Sequence, residues 1–325
     1  MCIIDQMRKT AEMGNGTTVQ EFILEGFPAL QHLGKFFFTL ILLAYSVAFT
    51  GNTIIITLTW ADYHLQIPMH FFLSNFSFLE NCFITTVIPK LLLIFLWGMQ
   101  KISFLGCLIQ AFFFLFWGST GFLLLAVMSL DRYIAICNPL HYPSIMTRKV
   151  CFLLVIFCYV SSFFVVVGVI LKVSMLSFCG SNVIKHFLCD VTPLTHLSCS
   201  DTKFFESLVF ALAILVLVSS LTITIIAYTN IIIKIVNLPS VKERQKAFST
   251  CSSHLIVLCL LYGSSVFIYL KPNQAKTFDT NREAALVNTV VTPLLNPFIY
   301  TLRNKQVKQA LRNILYRIKL ARWIH

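Results

Sequence analysis

Long unbroken apolar runs, not alternation, dominate the hydrophobic pattern of this chain. Seven windows stand out, at 36–58, 68–96, 104–130, 150–171, 208–233, 247–270 and 284–302. A bilayer core of roughly 30 Å needs about 20 consecutive apolar residues in a helix, and these windows meet or approach that length. Six of them contain no Asp, Glu, Lys or Arg, whereas the second holds Glu80 and Lys90. Backbone surrounded by lipid must satisfy its own hydrogen bonds, so runs of this length predict helices and not barrel strands. The last window is the shortest, and Pro293 and Pro297 would bend it. Seven spans is therefore the expected count, with six the competing one.

Composition agrees. Of 325 residues, 57% are apolar and 12% charged, with a mean hydropathy of +0.80. A soluble domain is nearer 45–50% apolar and about 25% charged, so this chain lacks the charge to cover a water-facing surface. The net charge of +12 is unevenly placed. The segment beyond Leu302 carries Arg303, Lys305, Lys308, Arg312, Arg317, Lys319 and Arg322 and no acid. With that tail inside, the inner segments hold 14 Lys and Arg and the outer segments 10, which favours this orientation. The positive charge then faces the anionic inner leaflet or a cytosolic partner, and nucleic acid is not the expected target. Residues 1–35 have no apolar core like that of a signal peptide, so the first helix is expected to direct insertion. The domain reading is an extracellular N-terminus (1–35), a seven-helix transmembrane domain (36–302) and a cytoplasmic basic tail (303–325).

Chemistry-bearing residues are sparse. Asn15-Gly16-Thr17 is a glycosylation sequon in the N-terminal segment. Asn75-Phe76-Ser77 has the same form but lies inside the second span, where no transferase reaches. Cys82, Cys137, Cys151, Cys158, Cys251 and Cys259 lie in spans or at their inner ends and act as small apolar residues. Cys107 heads the third span, and Cys179, Cys189 and Cys199 are spread along the loop between the fourth and fifth. Four outer cysteines allow three pairings, and spacing alone does not choose among them. A zinc site joining His186 to these thiols is the rival reading. A bridge from the loop to the third helix would hold the loop over the bundle as a lid. At the other end of that span, Asp131-Arg132-Tyr133 reads either as a snorkelling arginine with its counter-ion or as a switch that releases a guanidinium to a partner. In the tail, Val307, Leu311, Ile314, Leu315 and Ile318 recur at helical spacing among basic residues, as in a short amphipathic helix lying at the interface.

Further segments sharpen the picture. The chain reads PMHFFLSNFSFLE at 68–80, MSLDRYIAICNPLHY at 128–142, KAFSTCSSH at 246–254 and NPFIYTLRN at 296–304. The outer loop reads FCGSNVIKHFLCD at 178–190 and LSCSD at 197–201. Together, in this order and over nearly the whole chain, these resemble the odorant (olfactory) receptors of the rhodopsin-like G-protein-coupled receptors, in the tetrapod class. The resemblance implies an all-α membrane protein, a seven-transmembrane helix bundle with a short amphipathic C-terminal helix. It implies disulfides Cys107–Cys189 and Cys179–Cys199. It also implies that Asp131 restrains Arg132 at rest, and that active Arg132 meets a stimulatory G-protein α subunit with help from Tyr133, Tyr228, Lys246 and Tyr300. Pro297 would supply the bend such a movement needs.

Aligned on Arg132 and on Tyr262-Gly263, the odorant pocket of such receptors falls on Phe114, Leu115, Gly118 and Ser119. Leu212, Val216, Tyr262, Ser265 and Tyr269 complete it. Such a lining suits a small, largely apolar, volatile molecule making one or two hydrogen bonds, oriented by Ser119, Ser265 or Tyr269. The expected partners are that odorant, the heterotrimeric G protein and membrane lipid; no metal, cofactor or catalytic residue is expected. Glu80 is an intramembrane acid and so a functional candidate, protonated or hydrogen-bonded to Asn52. The receptors it resembles commonly place a second acid where this chain has Gly121, which makes a cation site doubtful here. His70 and Ser129-Leu130 also depart from their pattern. A transporter and an intramembrane hydrolase are the rival classes. The chain lacks the internal symmetry of the first and the Gly-x-Ser-x-Gly or His-Glu-x-x-His motifs of the second, and Ser253 and His254, as sequence neighbours, cannot face each other on a helix.

Overall fold

A computed structural model describes residues 20–62, 65–179, 181–269, 282, 285–303, 309 and 312. The main helices are α1 (Gly34–Ala61), α2 (Pro68–Trp97), α3 (Phe104–Cys137), α4 (Arg148–Ser174), α5 (Lys203–Val236), α6 (Val241–Tyr269) and α7 (Thr292–Arg303). Among the described residues, the first five are long and apolar enough to cross a membrane. Within α6, the described residues include the apolar run His254–Ser265. Helix α7 follows directly on a π-helical stretch, Val287–Val291, which widens the backbone before Pro297. The expected amphipathic tail helix lies outside the described residues.

Helix starts follow local chemistry. Pro68 opens α2 at a position where a missing N–H does no harm. Ser103 caps α3 by accepting from the Gly106 amide at 3.1 Å, and Thr147 caps α4 by accepting from Val150 at 3.3 Å. Helix α2 ends at Gly98, whose φ of +85° suits glycine. Helix α3 is central, packing on α2, α4 and α5, while α7 packs on α1 and α6. One close approach depends on a glycine: a Cβ at Gly51 of α1 would lie 2.6 Å from the Pro297 ring of α7.

Residues 20–33 depart from the all-helical expectation. Strand β1 (Glu21–Leu24) pairs antiparallel with β2 (Gln100–Ser103) and parallel with β3 (Val183–Ile184), giving a sheet of order β2-β1-β3. The alternation of Phe22 and Leu24 with Glu21 and Ile23 is too short to rise above the helical pattern in sequence, yet Phe22 and Leu24 are almost fully buried. A 3₁₀ turn (Pro28–Leu33) then leads into α1. The core divides into two apolar clusters. One lies beneath the sheet, around Phe22, Leu24, Phe95, Phe187 and Leu188. The other lies toward Arg132, around Phe72, Leu124, Met128, Tyr228 and Tyr262.

Candidate functional site

At the sheet end, disulfides join Cys107 to Cys189 and Cys179 to Cys199, with Cα separations of 5.3 and 5.7 Å. All four thiols of the rival zinc reading are thereby used. His186 instead accepts the Leu188 amide at Nδ1 (3.3 Å) and stacks on Phe187 at 4.6 Å between centroids. Burial and then the positive charge of Arg282 push its pKa down to about 4. Gln110 of α3 clamps the loop from below: its Oε1 accepts from the Cys189 amide (3.0 Å), while its Nε2 donates to Thr86 O on α2 (3.1 Å). The bridge and this clamp fix the loop to α3 as a lid. Sequence reading missed Gln110, and a polar residue three positions beyond Cys107 was the available signal.

Below the lid, the structure brings most of the candidate pocket residues to facing helices. Phe114 stacks on Phe83 of α2 at 5.4 Å, and Leu115 and Leu212 pack against the sheet-end cluster. Val216 is half-buried and Ser265 buried. Tyr262 packs its ring 5.5 Å from Phe122 of α3, and its hydroxyl lies 3.5 Å from Thr224 Oγ1 of α5. Leu115, Gly118, Ser119 and Phe122 share one face of α3 by helical spacing. Between the packed Leu115 and Phe122, a Cβ added at Gly118 would meet nothing within 4 Å. Ser119 Oγ bonds back to Leu115 O at 2.8 Å, so its proton is already engaged within its own helix. The side chain of Tyr269 lies outside the described residues. Ser264, which sequence reading did not select, reaches Asn288 Oδ1 at 3.0 Å and links α6 to the segment leading into α7.

Mid-bundle, Asn296 of α7 donates to Glu80 Oε1. Asn52, the expected partner, is buried within reach of the same carboxyl. The contact between Gly51 and Pro297 brings α7 against α1 and α2 at this level. Gly121 packs against Leu79.

At the opposite end, the fully buried Asp131 accepts a 2.8 Å hydrogen bond from Tyr142 in the short helix Tyr142–Ile145. Among the described residues, no nitrogen of Arg132 comes within 4.0 Å of Asp131, so the guanidinium acts on the carboxylate through charge alone while the hydrogen bond comes from Tyr142. The reason is geometric: consecutive helix residues point about 100° apart. Arg132 Nε is buried without a hydrogen bond, and the guanidinium lies within electrostatic reach of His70, Tyr228, Cys251 and His254. Tyr228 OH and His254 Nδ1 share a 2.7 Å hydrogen bond between α5 and α6. Ser129 Oγ lies 3.3 Å from Thr224 Oγ1, adding a polar link from α3 to α5. Tyr133 packs half-buried against this cluster. The side chains of Lys246 and Tyr300, and all of Asn15, lie outside the described residues. His254 closes the KAFSTCSSH run, and its place in a polar stretch of an apolar span was the signal that it faces the interior.

The arrangement is a bundle with a braced lid at one end, a polar cluster around Arg132 at the other and helix packing between them. Comparisons with known proteins agree on what it is. The family profile described as "Olfactory receptor" matches residues 41–318. The chain is similar to human olfactory receptor 6C75, 48% identical over 94% of this chain and 98% of that protein. It is also similar to human olfactory receptor 6X1, 49% identical over 93% and 97%. Among solved structures it is similar to squid rhodopsin, with a TM-score of 0.70 at 19% identity, covering 87% of this chain and 80% of that one, a likeness of fold. The chain belongs to the olfactory receptor family, a multi-pass plasma-membrane family of G-protein-coupled signalling receptors and not of enzymes.

Proposed function

We propose that this receptor binds a small, largely apolar odorant within the bundle and activates a stimulatory, olfactory-type G protein to raise cAMP. The observation that carries the reading is the open space at Gly118, on the face of α3 between Leu115 and Phe122 and beneath a lid fixed by Cys107–Cys189. A small guest there would touch Phe114, Leu115, Leu212 and Val216, with Ser265 or Tyr269 supplying a hydrogen bond. Ser119 serves less readily, since it must leave Leu115 O to donate. The guest would bear on Phe122 and Tyr262, whose hydroxyl adjoins Thr224, and Thr224 adjoins Ser129 near Arg132. Arg132 then meets the G-protein α subunit, with Tyr133, Tyr228, Lys246 and Tyr300 around it. In this reading seven helices cross the plasma membrane, Asn15 is glycosylated outside, and the basic tail beyond residue 302 lies inside as an amphipathic helix on the inner leaflet.

The test is a cAMP reporter screen against a chemically diverse odorant panel, in cells that supply the olfactory G protein. An active compound should lose potency when Ser265 is replaced by Ala or Tyr269 by Phe, at unchanged surface expression. A response that survives withdrawal of the G protein, or unchanged potency in both variants, overturns the reading.

A further inference from the structure

Residues 20–33 do more at the sheet end than extend the first helix. Strand β1 is held on both edges, and outside the ladders the Ile23 and Glu25 amides donate to Asn182 O and Ile184 O at 2.9 and 3.0 Å. Gly26 turns the chain with φ of +69°. Phe27 then stacks between Phe95 of α2 and Phe187 of the lid, each 5.4 Å away. Onto this turn comes one side chain from the start of the α7 segment. Arg282, 9% exposed, donates from Nη1 to Gly26 O and to Glu25 Oε2 (3.5 Å), and its guanidinium carbon lies 5.3 Å from the Phe27 ring centroid. The same nitrogen makes the ion pair with Glu25, whose side chain is 29% exposed. One cation thus meets a carboxylate, a carbonyl and an aromatic face, all within three consecutive residues of the N-terminal segment. Five residues later the backbone enters the π-helical Val287–Val291, a wide turn where hydrogen bonds are readily redistributed.

We propose that Glu25 and Arg282 form a latch that makes residues 20–27 a gate over the sheet-end mouth of the bundle and couples that gate to the wide first turns of the α7 segment. Opening the mouth between the lid and α7 separates Arg282 from the Gly26 turn. Without the latch, β1 keeps its ladders and the burial of Phe22 and Leu24 but loses its tie to α7, and the π-helical stretch loses its tether to the loops. Arg282 is a positioning residue here, acting on α7 through the N-terminal segment. The coupling does not depend on which molecule binds below or on which G protein follows, so a receptor silent in the odorant screen would leave it standing.

The experiment uses the full-length receptor in lipid nanodiscs, as wild type, Glu25→Gln, Arg282→Gln, the double variant and Arg282→Lys. Hydrogen exchange is read at β1 and, separately, at residues 286–291. Glu25→Gln should speed exchange at both by roughly tenfold, the scale expected when a hydrogen bond between charged groups is removed from a local opening equilibrium. The effect at 286–291 is the decisive one, because the latch carries the influence of Glu25 to that stretch through Arg282. The double variant should be no worse than the worse single, and Arg282→Lys should keep part of the protection. In intact cells, a cysteine placed by Gly118→Cys should react roughly tenfold faster with a charged, water-soluble methanethiosulfonate when Glu25→Gln is added, against the background set by the parent receptor. Unchanged exchange at 286–291 in Glu25→Gln, additive effects in the double variant, or labelling that does not quicken would overturn the proposal.

Discussion

Tyr142 donates its phenolic proton to Asp131 Oδ1 across 2.8 Å, tying the loop after α3 to the carboxylate that precedes Arg132. Burial, and then the Asp131 charge and hydrogen bond, hold the Tyr142 phenol above its ordinary range, so it remains a donor throughout the physiological pH interval. Asp131 Oδ2 has no partner and the residue is fully buried.

Removing that donor leaves the carboxylate one neighbouring cation, Arg132, to turn to. Tyr142→Phe should therefore hold the guanidinium more firmly and lower agonist-evoked G-protein activation severalfold at equal surface expression. The lost hydrogen bond to a charged group should also lower receptor stability by about 1.5–3 kcal/mol. Asp131→Asn should do the reverse for signalling and raise ligand-independent cAMP. A reporter assay normalised to surface receptor decides both; equal activity of Tyr142→Phe and wild type would show that the contact does not govern Arg132.

The 2.7 Å bond between Tyr228 and His254 joins α5 to α6 beside the same arginine. His254→Leu should leave the buried Tyr228 hydroxyl unpaired, a loss of about 1–3 kcal/mol to whichever state holds the bond. The bond is present here together with the Tyr142-gripped Asp131, so its loss should destabilise this arrangement and raise ligand-independent signalling. Adding Tyr228→Phe should give no further rise, since the two act as a pair. Additive effects would assign the residues separate roles.

The parts of this molecule legible in sequence are those where one long pattern repeats. Windows of apolar residues place α1 to α5 with ends at most seven positions off, because burial in lipid demands the same composition over twenty residues. The motifs singled out Arg132 and the outer cysteines, which the structure places at opposite ends of α3 and its loop, and the pairing of the cysteines came from the resemblance alone. The sheet was not legible, since Phe22 and Leu24 supply only two inward positions and their partners lie some 80 and 160 residues away. Nor were the partners of named residues. Asp131 bonds Tyr142 and Glu80 bonds Asn296, because tertiary approach and not sequence spacing decides which polar groups meet.

Two glycines should respond oppositely to added volume. A Cβ at Gly51 would press on Pro297, so Gly51→Ala should force α1 and α7 apart, destabilise by about 1–3 kcal/mol and reduce surface expression. A Cβ at Gly118 meets open space, so Gly118→Ala should leave expression intact, and Gly118→Phe should fill the site and abolish the response to an odorant that activates wild type. Surface staining and the cAMP reporter on the same cells separate the two outcomes. A Gly118→Phe receptor that still responds at wild-type potency would move the binding site away from this face of α3.

His186 gives the lid a defined dependence on acidity. Its pKa in the folded lid is about 4, against an ordinary value of 6.5, so the unfolded loop takes up a proton in this interval while the folded loop does not. Stability contributed by the neutral imidazole is therefore complete above about pH 6.5, falls as pH drops toward 4, and changes no further below that. Asp190, whose carboxyl is raised above its ordinary value by burial, acts in the opposite sense and favours the folded lid on acidification. The two are separated by His186→Phe, which keeps a ring to stack on Phe187 but cannot take up a proton. Between about pH 7 and pH 5 the wild-type receptor should lose up to about 2 kcal/mol relative to His186→Phe, seen as a larger fall in melting temperature. Equal falls in the two receptors would show that the imidazole takes up a proton as readily in the folded lid as in the unfolded loop, so that the lid does not shield it.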